Sequence, residues 1–144
     1  MKLILPYPVS SNRYWRSFAY RDKKTGKPRS VTVPSDEAKA YKHEVGWLAK
    51  QAGFRTPSTR PIALVLTLCP RQNKDGSASG TVLDLTNCVK VAEDALQGIV
   101  YENDRQVQDL HLRYGDATPT GALIVEVTEF ITKPGPLFAA EAQA

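Results

Sequence analysis

The chain has 144 residues, of which 42% are hydrophobic and 24% are charged. This length is typical of one domain with a single core, and this composition excludes a chain that is disordered throughout. No apolar stretch is long enough to span a membrane, and the run at Leu3–Leu5 is too short for a signal peptide, so we expect a cytoplasmic protein with no membrane partner.

The net charge of +4 conceals two halves of opposite sign. Residues 1–60 contain 13 Lys/Arg and 4 Asp/Glu residues, whereas residues 61–144 contain 6 and 11. A basic half favours binding to phosphates, and an acidic half can hold a divalent metal. The alternative is that solvated charges are segregated without a function.

The first third of the chain predicts a strand, a basic hairpin and a helix. Leu3–Leu5 is an apolar run ended by prolines, and seven basic residues lie between positions 13 and 29 with Asp22 as the only acid. A turn at 24–28 divides this segment into a hairpin. Ser35 is a good N-cap for a helix with one buried face, which Gly53 ends.

The rest of the chain predicts a strand, a second helix and two more strands. Residues 61–69 are almost all apolar, which favours a central strand covered on both faces. The polar segment 72–80 lacks the pattern of a phosphate-binding loop, so no nucleotide cofactor is expected. A helix from about Asp84 to about Gln97 precedes strands at 106–114 and 122–131.

This order of elements predicts an α+β fold, in which a mixed β-sheet has two helices packed on it. We expect residues 1–132 to form a single domain and residues 133–144 to form a flexible C-terminal tail. Cys69 and Cys88 lie in apolar segments with no Cys or His at a metal-site spacing, which predicts free, buried thiols in a reducing compartment.

The second predicted helix carries the residues that suggest chemistry. Its apolar face must pack on the sheet, and its other face shows Lys90, Glu93 and Asp94, with Asp84 at its start. If the link that follows folds back along the helix, Asp104 meets Asp84, and two carboxylates can hold Mg²⁺. A solvated helix face has much the same composition, and this pattern alone does not separate the two.

Two segments resemble the signature of the RusA family of Holliday-junction resolvases. The first is Asp84-Leu85-Thr86-Asn87, followed by Lys90 and by Asp-Ala-Leu at 94–96, and the second runs from Gly98 to Val107 through Glu-Asn-Asp-Arg-Gln. Residues 5–15, Leu-Pro-Tyr-Pro-Val-Ser-Ser-Asn-Arg-Tyr-Trp, are similar to the opening of the family. The matches span the chain in the family's order.

The resemblance implies a RusA-like homodimer that nicks two strands of a four-way or other branched DNA, in recombination and repair. It implies that Asp84 and Asp104 bind Mg²⁺, with Mn²⁺ as a substitute, and that Lys90 is catalytic. Asn87 and Asp94 match helix positions that look structural. The resemblance also points to a phage or prophage origin.

This chain departs from the family pattern at two positions. Thr86 stands where the pattern has its second aspartate, and Asn103 replaces the first acid of the turn. Another carboxylate then compensates, with Glu93, Asp94 and Glu102 as the alternatives, or metal affinity falls. Thr86 and Asn87 would support the ligands rather than bind the metal. A catalytically impaired protein that binds branched DNA remains the alternative, and an assembly protein with a solvated helix is a second one.

The basic N-terminal segment is the expected DNA-binding surface. Its arginines and lysines would contact phosphates, and two aromatic residues would stack on bases or wedge the junction open, unless they pack in the core. The expected DNA-binding residues are Asn12, Arg13, Tyr14, Trp15, Arg16, Arg21, Lys23, Lys24, Lys27 and Arg29.

Overall fold

The computed structural model describes residues 1–131, so the predicted tail at 133–144 lies outside the described residues. In chain order the elements are β1 (Lys2–Leu5), α1 (Ser11–Tyr14), β2 (Trp15–Arg21), β3 (Pro28–Pro34), α2 (Asp36–Gln51), β4 (Ile62–Cys69), α3 (Leu85–Leu96), a 3₁₀ turn (Asp104–Gln106), β5 (Val107–Tyr114) and β6 (Ala122–Glu129). Within residues 1–131, no helix has the length and hydropathy needed to cross a membrane.

Four strands form one mixed sheet in the order β1-β6-β4-β5. Strand β6 runs antiparallel to both β1 and β4, whereas β4 and β5 are parallel. Parallel neighbours need a crossover connection, and helix α3 lies in the segment that connects β4 to β5. The predicted α+β fold with a mixed sheet is confirmed.

Helices α2 and α3 pack on one face of the sheet and form the core with it. Alternating strand residues point to this face, and the fully buried ones include Leu3, Leu64, Leu66, Leu123 and Val125. On the other face Ile4 is 64% exposed and Val65 is partly exposed. The prediction that β4 is covered on both faces holds only for its second half: on the face away from the two long helices Thr67 and Cys69 are buried, whereas Ala63 and Val65 are partly exposed.

The two long helices begin and end where the sequence predicts. Ser35 caps α2 by accepting a hydrogen bond from the Ala38 backbone N–H, and Asp84 caps α3 in the same way through Asn87. Gly53 and Gly98 follow the two helices with φ of 100° and 81°, a conformation that glycine adopts at little cost. The capping signals alone thus set these boundaries correctly.

The predicted cysteine environment is confirmed for the thiols themselves. Cys69 and Cys88 are both free and buried. Burial raises the pKa of Cys88 to about 11, so this thiol stays protonated and unreactive at neutral pH. The compartment in which the protein works stays a prediction.

The basic segment forms the predicted hairpin, with one addition. Strands β2 and β3 pair from Trp15–Pro34 at the base to Arg21–Pro28 near the turn. The four-residue helix α1 immediately precedes β2 and was not predicted, since one helical turn is too short to show a periodic pattern. The hairpin is outside the main sheet, and we call residues 15–34 the basic arm.

The turn after α3 is organised by Gln106. Its side-chain carbonyl accepts hydrogen bonds from the Glu102 and Asn103 backbone N–H groups, at 2.9 and 2.7 Å. Its amide nitrogen donates to the carbonyls of Ser58 and Arg60, at 2.6 and 3.0 Å. A single side chain therefore ties the turn to the segment before β4, and it fixes the conformation in which Asp104 is presented.

Replacing Gln106 by Ala is expected to lower the free energy of unfolding by about 1–3 kcal/mol, because four hydrogen bonds are lost and the Asn103 N–H and the Arg60 carbonyl lose this partner. Urea unfolding followed by circular dichroism measures this change. Gln108→Ala is the matched control, because within residues 1–131 the Gln108 side chain forms one hydrogen bond, to the Arg105 carbonyl. This substitution should lower the free energy of unfolding by less than about 0.5 kcal/mol. Equal losses in the two variants would contradict the role given to Gln106.

Candidate active site

The carboxylate of Asp84 is held firmly at the N-terminus of α3. One of its oxygens accepts from the Asn87 backbone N–H at 2.8 Å and from the Thr86 hydroxyl at 3.0 Å. The other accepts from the Asn87 side-chain amide at 3.1 Å. A carboxylate has about four acceptor positions, so this exposed group keeps capacity for a cation or a water.

Glu93 and Asp104 form an acidic pair near the other end of α3. Glu93 is partly buried on the helix, and Asp104 begins the 3₁₀ turn. Burial first, and then the negative charge of Asp104, raise the pKa of Glu93 above its usual range. Neither carboxylate forms an ion pair among residues 1–131. Such an uncompensated pair favours binding of a cation.

Glu93 lies within electrostatic reach of Asp104, whose negative charge adds to the effect of burial on the pKa of Glu93. Asp84 and Glu93 are nine residues apart, which is about 14 Å along a helix axis. Within the described part of the chain, no three His, Cys, Asp or Glu side chains come close enough to share a metal ion. The expected meeting of Asp84 and Asp104 around a metal therefore stays a prediction.

Lys90 lies on the exposed face of α3 between the two acidic positions. Thr86, Lys90 and Glu93 are spaced by four and three residues, which places them on one side of the helix. Thr86 is exposed and donates its hydroxyl hydrogen to Asp84, where an aspartate would add a second negative charge. The region around Asp84 therefore has one negative charge fewer than it would have with an aspartate at position 86. On the same side of the helix the next acid is Glu93.

The other two alternatives for a further metal ligand differ in their surroundings. The carboxylate of Asp94 accepts a hydrogen bond from the Tyr14 hydroxyl, which occupies one of its oxygens. Glu102 is exposed in the turn, where its backbone N–H is held by Gln106. Glu93 is the best candidate, because it is partly buried on α3 and its pKa is raised first by burial and then by the charge of Asp104.

Helix α1 is fastened to the polar side of α3 at two points. The Ser11 hydroxyl donates to the Asn87 side chain at 2.9 Å, and the Tyr14 hydroxyl donates to Asp94. Burial first, and then Asp94, raise the pKa of Tyr14, so the phenol stays protonated and remains a donor. The resemblance implied structural roles for Asn87 and Asp94, and each of these side chains contacts α1.

The expectation that Tyr14 stacks on DNA bases is wrong, because its side chain is completely buried. Its ring packs edge-on against Trp15, with centroids 4.5 Å apart. Trp15 is partly exposed at the base of the arm, so contact with DNA remains open to it. Asn12 is exposed at the surface of α1.

The cations of the basic arm are exposed, but two of the predicted contacts are already engaged. Arg13 pairs with Glu37, and Arg29 pairs with Asp22 at 3.1 Å. The remaining five predicted cations form no ion pair within residues 1–131, namely Arg16, Arg21, Lys23, Lys24 and Lys27. These five are the ones free to neutralise phosphates.

A cavity beside the start of α3 includes residues that the sequence did not single out. It has a volume of about 410 Å³, and its walls include Tyr7, Arg13, Arg71 and Leu83. The Arg71 guanidinium lies 4.4 Å from the centre of the Tyr7 ring, and the Tyr7 hydroxyl accepts from the Leu83 backbone N–H at 2.9 Å. Arg71 follows Pro70 at the end of β4, and no spacing pattern marks it.

Gly121 is required for this cavity wall. A Cβ at this position would lie 2.6 Å from the Tyr7 ring and 2.9 Å from the Arg71 side chain. Its φ of 75° is also unfavourable for any other residue. The Tyr7 and Arg71 side chains therefore pack directly on the backbone of Gly121, next to the segment that leads into Asp84.

Comparison with known proteins identifies the family. The family model described as endodeoxyribonuclease RusA matches residues 6–128, which covers the N-terminal motif, the arm, α3 and the acidic turn. A search of curated proteins finds no match. The family model covers most of the chain and agrees with the resemblance seen in the sequence, and the chain therefore belongs to the RusA family of endodeoxyribonucleases.

Proposed function

We propose that this protein is a Mg²⁺-dependent endonuclease that resolves Holliday junctions by paired phosphodiester hydrolysis in DNA recombination and repair. Family membership supports an endodeoxyribonuclease acting on branched DNA. The observation that carries the proposal for this chain is that Lys90 and Glu93 share one side of α3, with Glu93 within electrostatic reach of Asp104 in the turn that follows.

The acidic pair has the donor chemistry that Mg²⁺ prefers. Mg²⁺ takes oxygen ligands, and proteins commonly bind it through one or two carboxylates while waters and substrate phosphates complete its shell. Glu93 and Asp104 provide two carboxylates, and Asp84 provides a further one toward the helix N-terminus. A bound Mg²⁺ supplies an activated water and neutralises phosphate charge, and Mn²⁺ accepts the same ligands.

The protein's own side chains position the phosphate and stabilise its charge. Lys90 is an exposed cation that would contact the phosphate oxygens on which negative charge develops. Asp84 is oriented by Thr86 and Asn87, so it keeps a fixed position relative to Lys90. Gln106 fixes the turn that presents Asp104.

Resolution of a four-way junction requires two cuts, which we attribute to a homodimer with one site per subunit. Each subunit carries its own set of Asp84, Lys90 and Asp104. The two sites would then act on two strands of the same junction. Sedimentation of the purified protein, with and without junction DNA, gives the number of subunits.

A catalytically impaired protein that binds branched DNA is the second candidate function. Two observations favour it: Thr86 replaces an aspartate of the family pattern, and no three metal-ligand side chains cluster within residues 1–131. Nicking of a synthetic four-way junction with and without Mg²⁺ separates the candidates. Selective binding of the junction without any nicking would favour this second one.

The acidic residues are expected to be essential for cleavage and dispensable for binding. Asp84→Asn and Asp104→Asn should each reduce nicking of a four-way junction by roughly 100-fold or more, because each removes a negative charge that would bind the metal ion acting on the phosphate. Gel-shift affinity for the same junction should stay within about twofold of the parent. Asp109→Asn removes an exposed acid on β5 and is the control. Unimpaired nicking in both variants would refute the site.

Glu93 is expected to compensate for the absence of an acid at position 86. Glu93→Gln should raise the Mg²⁺ concentration that gives half-maximal nicking by about 10-fold, since one carboxylate ligand is lost. Thr86→Asp in the same background should recover part of this loss. Glu44→Gln, an exposed acid on α2, should leave the Mg²⁺ requirement unchanged. An unchanged requirement in Glu93→Gln would exclude Glu93 as a ligand.

The unpaired cations of the arm are expected to bind DNA phosphates. The double variant Arg16→Ala/Arg21→Ala should weaken junction binding and make the plot of log K against log salt concentration shallower by about 2, at 0.9 per lost contact. Arg60→Ala is the control, because Arg60 is exposed outside the arm and pairs with Glu129. If the slope is the same in parent and double variant, the DNA surface lies elsewhere.

A further inference from the structure

Helix α2 carries an exposed tryptophan among cations, outside the candidate active site. The side chain of Trp47 is 58% exposed. It borders a shallow cavity of about 260 Å³ whose lining residues we call the Trp47 patch: Lys42, His43, Gly46, Trp47, Lys50 and Ile99. No acidic side chain lines this cavity, and its cationic residues form no ion pair within the described residues.

The spacing along α2 explains how the patch is built. His43 and Trp47 are four residues apart, as are Lys42, Gly46 and Lys50, so the side chains form two adjacent rows. Gly46 has no side chain, so its row is open between Lys42 and Lys50, and a Cβ there would come into contact with the Ile99 side chain at 3.4 Å. A groove floored by backbone and lined by an indole and cations results.

Trp47 contributes little to the core. The buried residues of α2 are Ala38, Tyr41, Val45 and Ala49, which lie on the side of the helix that packs on the sheet. Burying a large apolar side chain stabilises a fold, yet this fold leaves most of the indole in water. An exposed indole in a cationic groove is the arrangement that proteins use to bind single-stranded nucleic acid.

The patch adjoins the C-terminal half of α3. The Lys42 ammonium donates a hydrogen bond to the backbone carbonyl of Asp94 at 3.0 Å, and Ile99 follows α3 directly. Glu93, the residue before Asp94 on α3, belongs to the candidate active site. DNA engaged at the candidate active site would therefore continue past the Trp47 patch.

We propose that the Trp47 patch binds unpaired DNA, with one base stacked on Trp47 and the adjoining phosphates contacting Lys42, His43 and Lys50. The choice of DNA rests on the function proposed above, whereas the preference for an unpaired segment rests on the patch itself. A base in a duplex is already stacked on both sides, so only an unpaired one offers a free face to the indole. Such segments occur at the branch points and single-stranded tails of branched DNA.

Trp47 provides its own spectroscopic reporter. The chain has two tryptophans, so Trp15→Phe leaves Trp47 as the only one. In this background, titration with a thymidine oligonucleotide, which cannot pair with itself, should quench the indole emission. Trp47→Ala should weaken oligonucleotide binding roughly 5- to 100-fold, as measured by anisotropy of a labelled strand, and Trp47→Phe should retain most of the affinity because it keeps a ring.

The cationic part of the patch has a separate test. Lys50→Ala should weaken oligonucleotide binding and reduce the slope of log K against log salt concentration by about 0.7, the value for one phosphate contact on a single strand. Lys2→Ala removes the same charge from an exposed position on β1 and is the matched control. Equal effects in these two variants would overturn the assignment of Lys50.

Further outcomes separate this inference from the proposed function. If the parent protein nicks no junction but the oligonucleotide still quenches Trp47, the nuclease proposal fails and the patch stands. If nicking occurs but Trp47→Ala binds the oligonucleotide as tightly as the parent, the patch is overturned. Emission of Trp47 that changes with protein concentration and not with DNA would instead show self-association, which also overturns it. Nicking of a fully paired junction should be unchanged in Trp47→Ala.

Discussion

The contact on which the functional end of the molecule depends is the hydrogen bond from Tyr14 to Asp94. A completely buried phenol needs an acceptor, and a partly buried carboxylate needs a donor, so each group satisfies the other. Seven residues earlier on α3, Ser11 contacts Asn87. Two contacts about two helical turns apart fix both the position and the direction of α1 on α3. The basic arm starts at the next residue and is therefore oriented relative to the acids.

The distribution of charge on α3 follows from a single hydroxyl group. Thr86 donates to Asp84 and so stabilises that carboxylate instead of adding a second one beside it. The two acids that repel each other are Glu93 and Asp104, and burial together with this repulsion raises the pKa of Glu93. Ionisation of Glu93 as pH rises therefore costs folding stability, and a bound cation would offset that cost. The threonine at position 86 is thus compatible with a metal site in which Glu93, farther along the helix, provides the carboxylate that position 86 lacks.

Three cationic surfaces surround this acidic helix, and they differ in their chemistry. The arm presents exposed arginines and lysines suited to phosphates, and within residues 1–131 Arg29 is the one that pairs with an acid. The cavity at Tyr7 holds Arg71 against an aromatic ring beside the start of α3. The Trp47 patch lies near the far end of α3 and combines cations with an exposed indole. Branched DNA can present paired arms and unpaired segments, and surfaces of different chemistry suit these two kinds of DNA.

The sequence by itself determined the elements and the family. Ser35, Asp84, Gly53 and Gly98 set the helix ends correctly, because caps and stops are local properties of the backbone. The strands predicted at 106–114 and 122–131 correspond to β5 and β6. The motifs around Asp84 and Asp104 gave the RusA resemblance, which the family model confirms.

Only the tertiary structure decided which of these residues meet. Local patterns did not reveal that both long helices cover the same face of the sheet, that Tyr14 is buried against Asp94, or that Trp47 is exposed. They also could not identify Glu93 as the neighbour of Asp104, since that proximity depends on Gln106 anchoring the turn to Ser58 and Arg60. Caps and periodicities report contacts within a few residues, whereas burial and pairing between distant side chains arise only when the whole chain packs.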